Sequence, residues 1–202
     1  MPTDTRDRIL TATAELFRAG GYHGTSLKQV TVASGAPIGS VYHFFPGGKA
    51  ELAEAVLASS GASYRALYEL IADAAPDPVA AVTDFFDGAA TVLEETGYLD
   101  ACPIGTVALE VASSDERLRL ATAAVFASWA EAIVIRLTAA GLDEMTAGDL
   151  ATTLIAGIEG GFMLSRAAHS PEPMRTVGRA MSGLVAAALA GVSVVSHRGF
   201  PR

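Results

Sequence analysis

Four neighbouring residues between positions 38 and 43 carry side chains suited to contact with DNA. Ser40, Tyr42 and His43 can each form a hydrogen bond with a phosphate oxygen. Ile38 has no polar group, but an aliphatic side chain can touch the methyl group of thymine in the major groove. Gly39 weakens a helix by about 1 kcal/mol relative to Ala, and a backbone that must approach DNA closely is one reason to accept that cost. A polar surface helix between two turns is the alternative interpretation.

The elements around these residues have the layout of a helix-turn-helix. Ser26 and Gln29 match the capping-box pattern, so a helix is predicted to start at Ser26 and to run to about residue 33. Gly35 can adopt the left-handed conformation that ends such a helix. Pro37 suits the first position of the next helix, predicted over residues 37–44, and Pro46 stops it.

The wider N-terminus resembles the DNA-binding domain of the TetR family of bacterial repressors. The resemblance covers about the first quarter of the chain. It rests on Ile9, Leu10, Ala14, Leu16 and Phe17, on Gly20-Gly21-Tyr22 and Gly24-Thr25-Ser26, and on Gly35, the run from Gly39 to Phe45, Lys49 and Leu52. Two features depart from the family pattern. Pro37 stands where Ser or Thr is usual, which removes a side-chain cap worth typically ~1 kcal/mol, and the loop from Phe45 to Lys49 is one residue longer.

The longer loop resembles the corresponding loop of the LmrA/YxaF-like subgroup, which includes lincomycin- and flavonoid-responsive repressors. Further marks of the subgroup lie in residues 101–106 and 108–110, and in residues 158–166 and 170–173. The resemblance implies a homodimer that binds double-stranded operator DNA and a small hydrophobic effector. It also implies a DNA-binding set in which Ile38, Gly39 and Ser40 face bases and the polar residues hold phosphates. That set is Ser26, Lys28, Pro37, Ile38, Gly39, Ser40, Tyr42, His43 and Lys49.

Length and composition favour an all-α protein. The chain has 202 residues, of which 50% are hydrophobic, and no long run alternates with period two. We predict an N-terminal three-helix DNA-binding domain over residues 1–47, a larger helical effector-binding and dimerisation domain over 48–192, and a flexible tail over 193–202. The polar N-terminus does not read as a signal segment. With Cys102 as the single cysteine, a cytoplasmic location is expected.

Charge is distributed unevenly along the chain. Residues 1–52 hold five basic and four acidic side chains, a net charge of +1, so residues 53–202 carry −9 of the total of −8. An acidic body repels DNA, and contact is therefore expected only at the N-terminal face.

Nine helices are predicted, and their starts and ends follow local signals. The first covers about residues 4–19, and the fourth runs from about 48 to 74. Asp77 is a candidate cap for the fifth, which ends at Gly97, and Cys102-Pro103 opens the sixth. The seventh and eighth begin at residues 115–116 and 143–144, and the ninth follows Pro171-Glu172-Pro173 and ends near Gly191.

An apolar stripe in the last helix predicts a dimer interface. Residues 180–196 carry no charge, and the eighth helix brings small residues close together on one surface. Two such helix pairs would make a four-helix interface. The interface set is Gly157, Gly161, Leu164, Met181, Val185 and Leu189. An intramolecular core and a membrane span are the alternatives, and the glycines, serines and alanines make the segment a poor span.

Aromatic residues with a few carboxylates predict an effector pocket. An apolar cavity with one or two carboxylates suits a planar hydrophobic or cationic compound. The proposed lining is Phe85, Phe86, Tyr98, Glu110, Phe126, Trp129, Glu159, Phe162 and Met163. For each residue taken singly, ordinary aromatic core is the alternative.

Other classes of function fit the sequence less well. The chain has no phosphate loop after a strand, no nucleophile elbow and no His or Cys pair at metal spacing, so neither an enzyme nor a cofactor is expected. A helix-turn-helix dimer without an effector is one alternative. A redox sensor is another, because Cys102 lies at a predicted helix start, where a thiol pKa can be lowered.

Overall fold

The computed structural model describes residues 4–99 and 102–197, and within them every regular element is an α-helix. The predicted all-α class is confirmed. The nine helices of these ranges are α1 Thr5–Gly20, α2 Leu27–Ser34, α3 Ile38–Phe44, α4 Gly48–Ala74, α5 Pro78–Glu95, α6 Pro103–Val111, α7 Glu116–Ala139, α8 Glu144–Ala168 and α9 Glu172–His197.

Side-chain caps fix several helix starts where the sequence predicted them. Asp77 accepts from the Ala80 N–H at 2.9 Å, and Asp143 accepts from the Thr146 N–H at 3.0 Å. Each carboxylate satisfies an N–H that has no partner within its helix. The C-terminal ends of two helices were predicted less accurately. α5 stops at Glu95 rather than at Gly97, and α9 continues to His197. Of the predicted flexible tail, residues 198–202 lie outside the described part.

The chain forms two compact units. The first contains residues 1–64 and 99–126, and the second contains residues 65–98 and 127–202. The predicted boundary after residue 47 therefore falls within the first unit, and α6 packs against α1 there.

Large apolar side chains from the N-terminal helices form the core of the first unit. Ile9, Phe17, Val41, Phe45 and Leu52 are each at most 2% exposed. Burying side chains of this size stabilises the fold by about 1.5–3 kcal/mol each. Val41 of α3 and Phe45 directly after it therefore anchor this helix in the core, while the opposite face of α3 is exposed.

The core of the second unit lies among α5, α8, α9 and the later part of α7. Phe86, Leu137, Met174 and Val185 are buried in it. Gly178 of α9 allows close approach, since a Cβ there would lie 2.6 Å from the Cβ of Phe86. In the same unit α8 and α9 pack closely on each other.

By length and composition α7 is the one helix in the described ranges that is long and apolar enough to cross a membrane. A core helix of a soluble protein passes the same test. Leu118, Ala132 and Leu137 of α7 are buried within the fold, and its Arg136 contacts the Asp73 carboxylate at 2.6 Å. Only 28% of the apolar window of α7 is buried, and one helix of this kind is weak evidence for a membrane span.

Candidate functional site

The turn between α2 and α3 is built by the residues that the sequence singled out. Ser26 accepts from the Gln29 N–H at 3.3 Å, and the Gln29 side chain accepts from the Ser26 N–H at 2.8 Å. This is the predicted capping box. Gly35 ends α2 with φ 63° and ψ 18°, in the left-handed region as predicted. Pro37 occupies the cap position of α3, which has no side-chain cap bond.

One face of α3 is exposed, and it carries the residues predicted to contact DNA. Pro37, Gly39 and His43 are exposed, Ile38 and Tyr42 are 47% and 52% exposed, and Ser40 is half-buried. No atom lies within 4 Å of a Cβ built at Gly39, so space inside the chain does not require glycine there. The opposite face of α3 carries the fully buried Val41. We call α3 the reading helix and its exposed face, with Ile38, Gly39, Tyr42 and His43, the reading surface; the opposite face packs into the core.

The cations predicted at the two sides of this surface have different surroundings. Lys28 is exposed on α2. Lys49, at the start of α4, is half-buried, with its Nζ 4.3 Å from the centroid of the Tyr22 ring. Burial lowers the pKa of Lys49 from its usual value, and the negative charge of Glu110 opposes that shift. Ser26 is exposed, but its hydroxyl is already engaged in the capping box.

Two arginines that the sequence reasoning missed also flank the reading helix. Arg8 of α1 donates from Nη1 to the Ser34 carbonyl at 3.1 Å, directly before the turn. The Arg6 guanidinium lies 5.6 Å from the centroid of the Phe45 ring, at the end of α3. No local pattern marks these arginines, because each reaches a residue at least 26 positions away.

The pairing of cations differs between this region and the rest of the described chain. Arg6, Arg8, Lys28 and Lys49 have no carboxylate within ion-pair distance among the described residues. Six arginines outside α1–α3 each contact a carboxylate, namely Arg65, Arg117, Arg119, Arg136, Arg175 and Arg179. Cations without a protein anion are available to phosphates. The reading surface is therefore rimmed by positive charge in an acidic protein.

Comparison with known proteins agrees with this geometry. Residues 9–56 match the bacterial regulatory proteins of the tetR family, and residues 78–180 match the C-terminal domain of LmrA/YxaF-like transcriptional regulators. The chain belongs to the TetR family. It is 36% identical to the HTH-type transcriptional regulator YxaF of Bacillus subtilis over 182 residues, which are 90% of this chain and 95% of that protein.

Other relatives support the same assignment. The HTH-type transcriptional regulator LmrA of Bacillus subtilis is 36% identical over 179 residues, which are 85% of this chain and 91% of LmrA. The crystal structure of a TetR transcriptional regulator from Legionella pneumophila superposes with a TM-score of 0.81 at 22% identity. The match covers 91% of this chain and 98% of that one, and it shows the shared fold.

Membership of the family confirms the coarse function predicted from the sequence. The protein is a DNA-binding transcriptional regulator with an N-terminal helix-turn-helix and a helical C-terminal part. TetR-family regulators bind operator DNA and act as dimers. The family is a class of transcriptional regulators rather than of enzymes.

The residues predicted to line an effector pocket do not all lie in one compact unit. Phe85, Phe86, Tyr98 and Phe162 pack in or against the core of the second unit. Trp129 and Glu159 are half-buried in that unit, and Met163 is 64% exposed. Phe126 and Glu110 belong to the first unit. There the Glu110 carboxylate accepts from the His23 N–H at 2.7 Å.

A tyrosine that the sequence reasoning missed joins these aromatic residues. The Tyr68 ring of α4 meets the Phe85 ring edge-on, with centroids 5.7 Å apart. Burial raises the pKa of Tyr68 from its usual value to about 12. No spacing signal pointed to Tyr68, because its partners lie on a different helix.

Most residues predicted at a dimer interface make contacts within one chain. Val185 is fully buried in the second unit, with Met181 and Leu189 packed beside that core. A Cβ at Gly161 would lie 2.6 Å from the Met174 Sδ, and one at Gly157 would lie 3.1 Å from a Val177 methyl. Of the predicted set, Leu164 is the most exposed, at 49%. The apolar stripe of α9 thus faces α5 and α8 of its own chain.

Cys102 is 5% exposed at the start of α6. Its Sγ accepts from the Gly105 N–H at 3.4 Å. The thiol therefore caps the helix.

Proposed function

We propose that the protein is a homodimeric repressor that a small hydrophobic ligand releases from its operator. The observation that carries the DNA-binding part is the set of four unpaired cations around an exposed reading helix. Arg6, Arg8, Lys28 and Lys49 lie on α1, α2 and α4 without an ion pair, whereas six of the seven arginines that the structure describes outside α1–α3 contact a carboxylate. A chain with a net charge of −8 can approach DNA only through such a region.

Helix α3 of each subunit is proposed to enter the major groove of one half-site. The two half-sites would then lie roughly 34–36 Å apart, one helical turn along the same face of the duplex. Ile38, Gly39 and Ser40 would face base edges. Tyr42, His43 and the flanking cations would hold phosphates and fix the register without reading sequence.

Footprinting on the DNA next to the coding region tests this part of the proposal. We expect protection of a near-palindrome whose two halves are one helical turn apart. Protection of a single half-site, or binding that does not depend on sequence, would contradict it.

The dimer is proposed to form through the exposed faces of α8 and α9. Ala156, Met163 and Ala167 are exposed on α8, and Gly183, Leu184 and Ala187 are exposed on α9. These residues are small or apolar, which allows helices of a second subunit to approach closely and to bury apolar surface. This assignment replaces Gly161 and Val185, whose side-chain space is already filled within the chain.

Adjacent residues of α9 provide a matched test of the dimer. Leu184 is 47% exposed and Val185 is fully buried. Leu184→Arg should give a helical protein that sediments as a monomer and loses operator binding. Val185→Arg should unfold the chain, because it buries an unpaired charge. A Leu184→Arg protein that remains dimeric at the wild-type concentration would move the interface elsewhere.

The effector is proposed to bind among the aromatic side chains of the second unit. Tyr68, Phe85 and Phe162 come from three different helices, and they pack against one apolar core. The Tyr68 hydroxyl would be the hydrogen-bond donor that orients a planar ligand. The similarity to the LmrA/YxaF-like subgroup, which includes flavonoid-responsive repressors, makes flavonoids the first compounds to test.

Fluorescence of Trp129 tests ligand binding directly, because it is the single tryptophan. A flavonoid that binds should change its emission and release operator DNA over the same concentration range, since the two equilibria are linked. Tyr68→Phe should weaken the ligand about 5- to 10-fold while leaving operator binding unchanged, because it removes one hydrogen bond of ~1 kcal/mol. DNA release that leaves Trp129 emission unchanged would place the pocket elsewhere.

Two alternatives remain distinguishable by experiment. A dimer without an effector would hold its operator in the presence of every compound tested. A redox sensor would lose operator binding on mild oxidation, and Cys102→Ser would abolish that response. Burial of the Cys102 thiol in a helix cap favours the ligand-controlled form.

A further inference from the structure

Glu110 connects α6 to the turn between α1 and α2. Its Oε2 accepts from the backbone N–H of His23 at 2.7 Å, across 87 positions of sequence. The carboxylate also lies directly on Gly21, which has φ +72°, and a Cβ at that position would be 1.6 Å from Oε1. Only glycine leaves room for this contact. A charged acceptor makes such a hydrogen bond stronger than a neutral one would be.

The same turn carries the ring on which Lys49 rests. Tyr22 follows Gly21, and its ring lies 4.3 Å from the Lys49 Nζ and 5.9 Å from the Phe17 ring centroid. The Thr25 hydroxyl donates to the Gly21 carbonyl at 2.8 Å and closes the turn. The position of the Lys49 ammonium thus depends on how this turn is held.

We propose that Glu110 is a positioning residue for DNA binding, which acts through the turn of residues 21–25 and through Lys49. Its carboxylate fixes the His23 N–H and Gly21, so that Tyr22 presents the lysine toward a phosphate. The inference rests on the proposed phosphate contact of Lys49. The inference means that α6 contributes to the affinity for DNA, although none of the predicted DNA-contacting residues lies on this helix.

If Glu110 acted only through its negative charge, its removal would change the affinity for DNA in the opposite direction. Glu110 is a negative charge in the DNA-binding unit, and its removal should strengthen DNA binding if it acts only by repelling phosphates. If Glu110 only packs α6 on α1, its loss should lower the melting temperature without any coupling to Lys49. A positioning role predicts weaker binding that requires Lys49.

The test compares Glu110→Gln with Glu116→Gln in the full-length protein. Both variants remove one negative charge from the same unit, but Glu116 is an exposed residue of α7 that pairs with Arg119. We expect Glu110→Gln to bind operator DNA 5- to 10-fold more weakly with an unchanged melting temperature. Glu116→Gln should bind as the wild type does or slightly more tightly.

A double-mutant cycle identifies the route of the effect. In a Lys49→Ala background, Glu110→Gln should change affinity by less than twofold, because the group it positions is absent. Hydrogen exchange of the His23 amide should also become at least tenfold faster in Glu110→Gln. Additive losses, or wild-type affinity for Glu110→Gln, would overturn the proposal. Tight operator binding by the wild type and by Glu116→Gln, with a reduced salt slope in Lys49→Ala, would show that the proposed function stands even then.

Discussion

Replacing Lys49 by Ala tests the proposed role of the lysine as a phosphate contact. The Nζ of Lys49 lies on the Tyr22 ring and has no carboxylate within ion-pair distance among the residues described, so its ammonium is available to a phosphate. One phosphate contact contributes about 0.9 to the slope of log K against log salt, and a dimer loses two contacts, or ~1.8. Between 0.05 and 0.2 M salt the wild type should therefore lose about 12-fold more affinity than the variant does.

The assay is a salt titration of binding to the operator and to an unrelated duplex of equal length. Lys49→Ala should weaken binding to both duplexes and reduce both slopes by the same amount, because phosphates carry no sequence information. Arg119→Ala is the matched control, since it removes a cation that is already bonded to Glu116. An unchanged slope, or a change in which sequence is preferred, would refute the assigned role.

Two further predictions concern stability. Pro37 caps α3 without a side-chain bond, so Pro37→Ser should gain ~1 kcal/mol over Pro37→Ala, and thermal unfolding should separate these two variants by about 2–4 °C. Equal melting temperatures would mean that no serine cap forms. Gly178→Ala places a Cβ 2.6 Å from the Phe86 Cβ, and overpacking of this kind costs about 1–3 kcal/mol. Gly88→Ala, in open space on α5, should instead stabilise the protein by ~1 kcal/mol. Shifts of the same sign in the two glycine variants would contradict the packing described for α9 on α5.

Local signals in the sequence predicted the helix-turn-helix accurately. The capping box of Ser26 and Gln29, the left-handed Gly35 and the caps at Asp77 and Asp143 all depend on residues within four positions of each other. Such interactions form from the residue types themselves, with little help from the rest of the fold. The exposed face of α3 follows from the same local information, since Val41 is the residue that turns inward.

The features that the sequence did not predict depend on distant residues. Arg8 bonds Ser34, and Glu110 bonds His23, over 26 and 87 positions. The apolar stripe of α9 predicts a surface for a second subunit only by its periodicity, which shows that a face is apolar and does not show what covers it. Since residues 180–196 carry no charge, α9 has more than one apolar face, and the one containing Val185 is covered by its own chain.

The number of unpaired cations sets a limit on how the protein can hold DNA. Arg6, Arg8, Lys28 and Lys49 have no carboxylate within ion-pair distance in the described chain, which makes eight such cations in a dimer. The salt slope contributed by these groups is therefore no more than about 7. With so few phosphate contacts and an acidic body, non-specific affinity must be low. Recognition of an operator must then come from the base contacts of α3 and from the fixed arrangement of α1–α3. The Glu110 carboxylate, which holds the turn of residues 21–25, can therefore raise the affinity for DNA more than its negative charge lowers it.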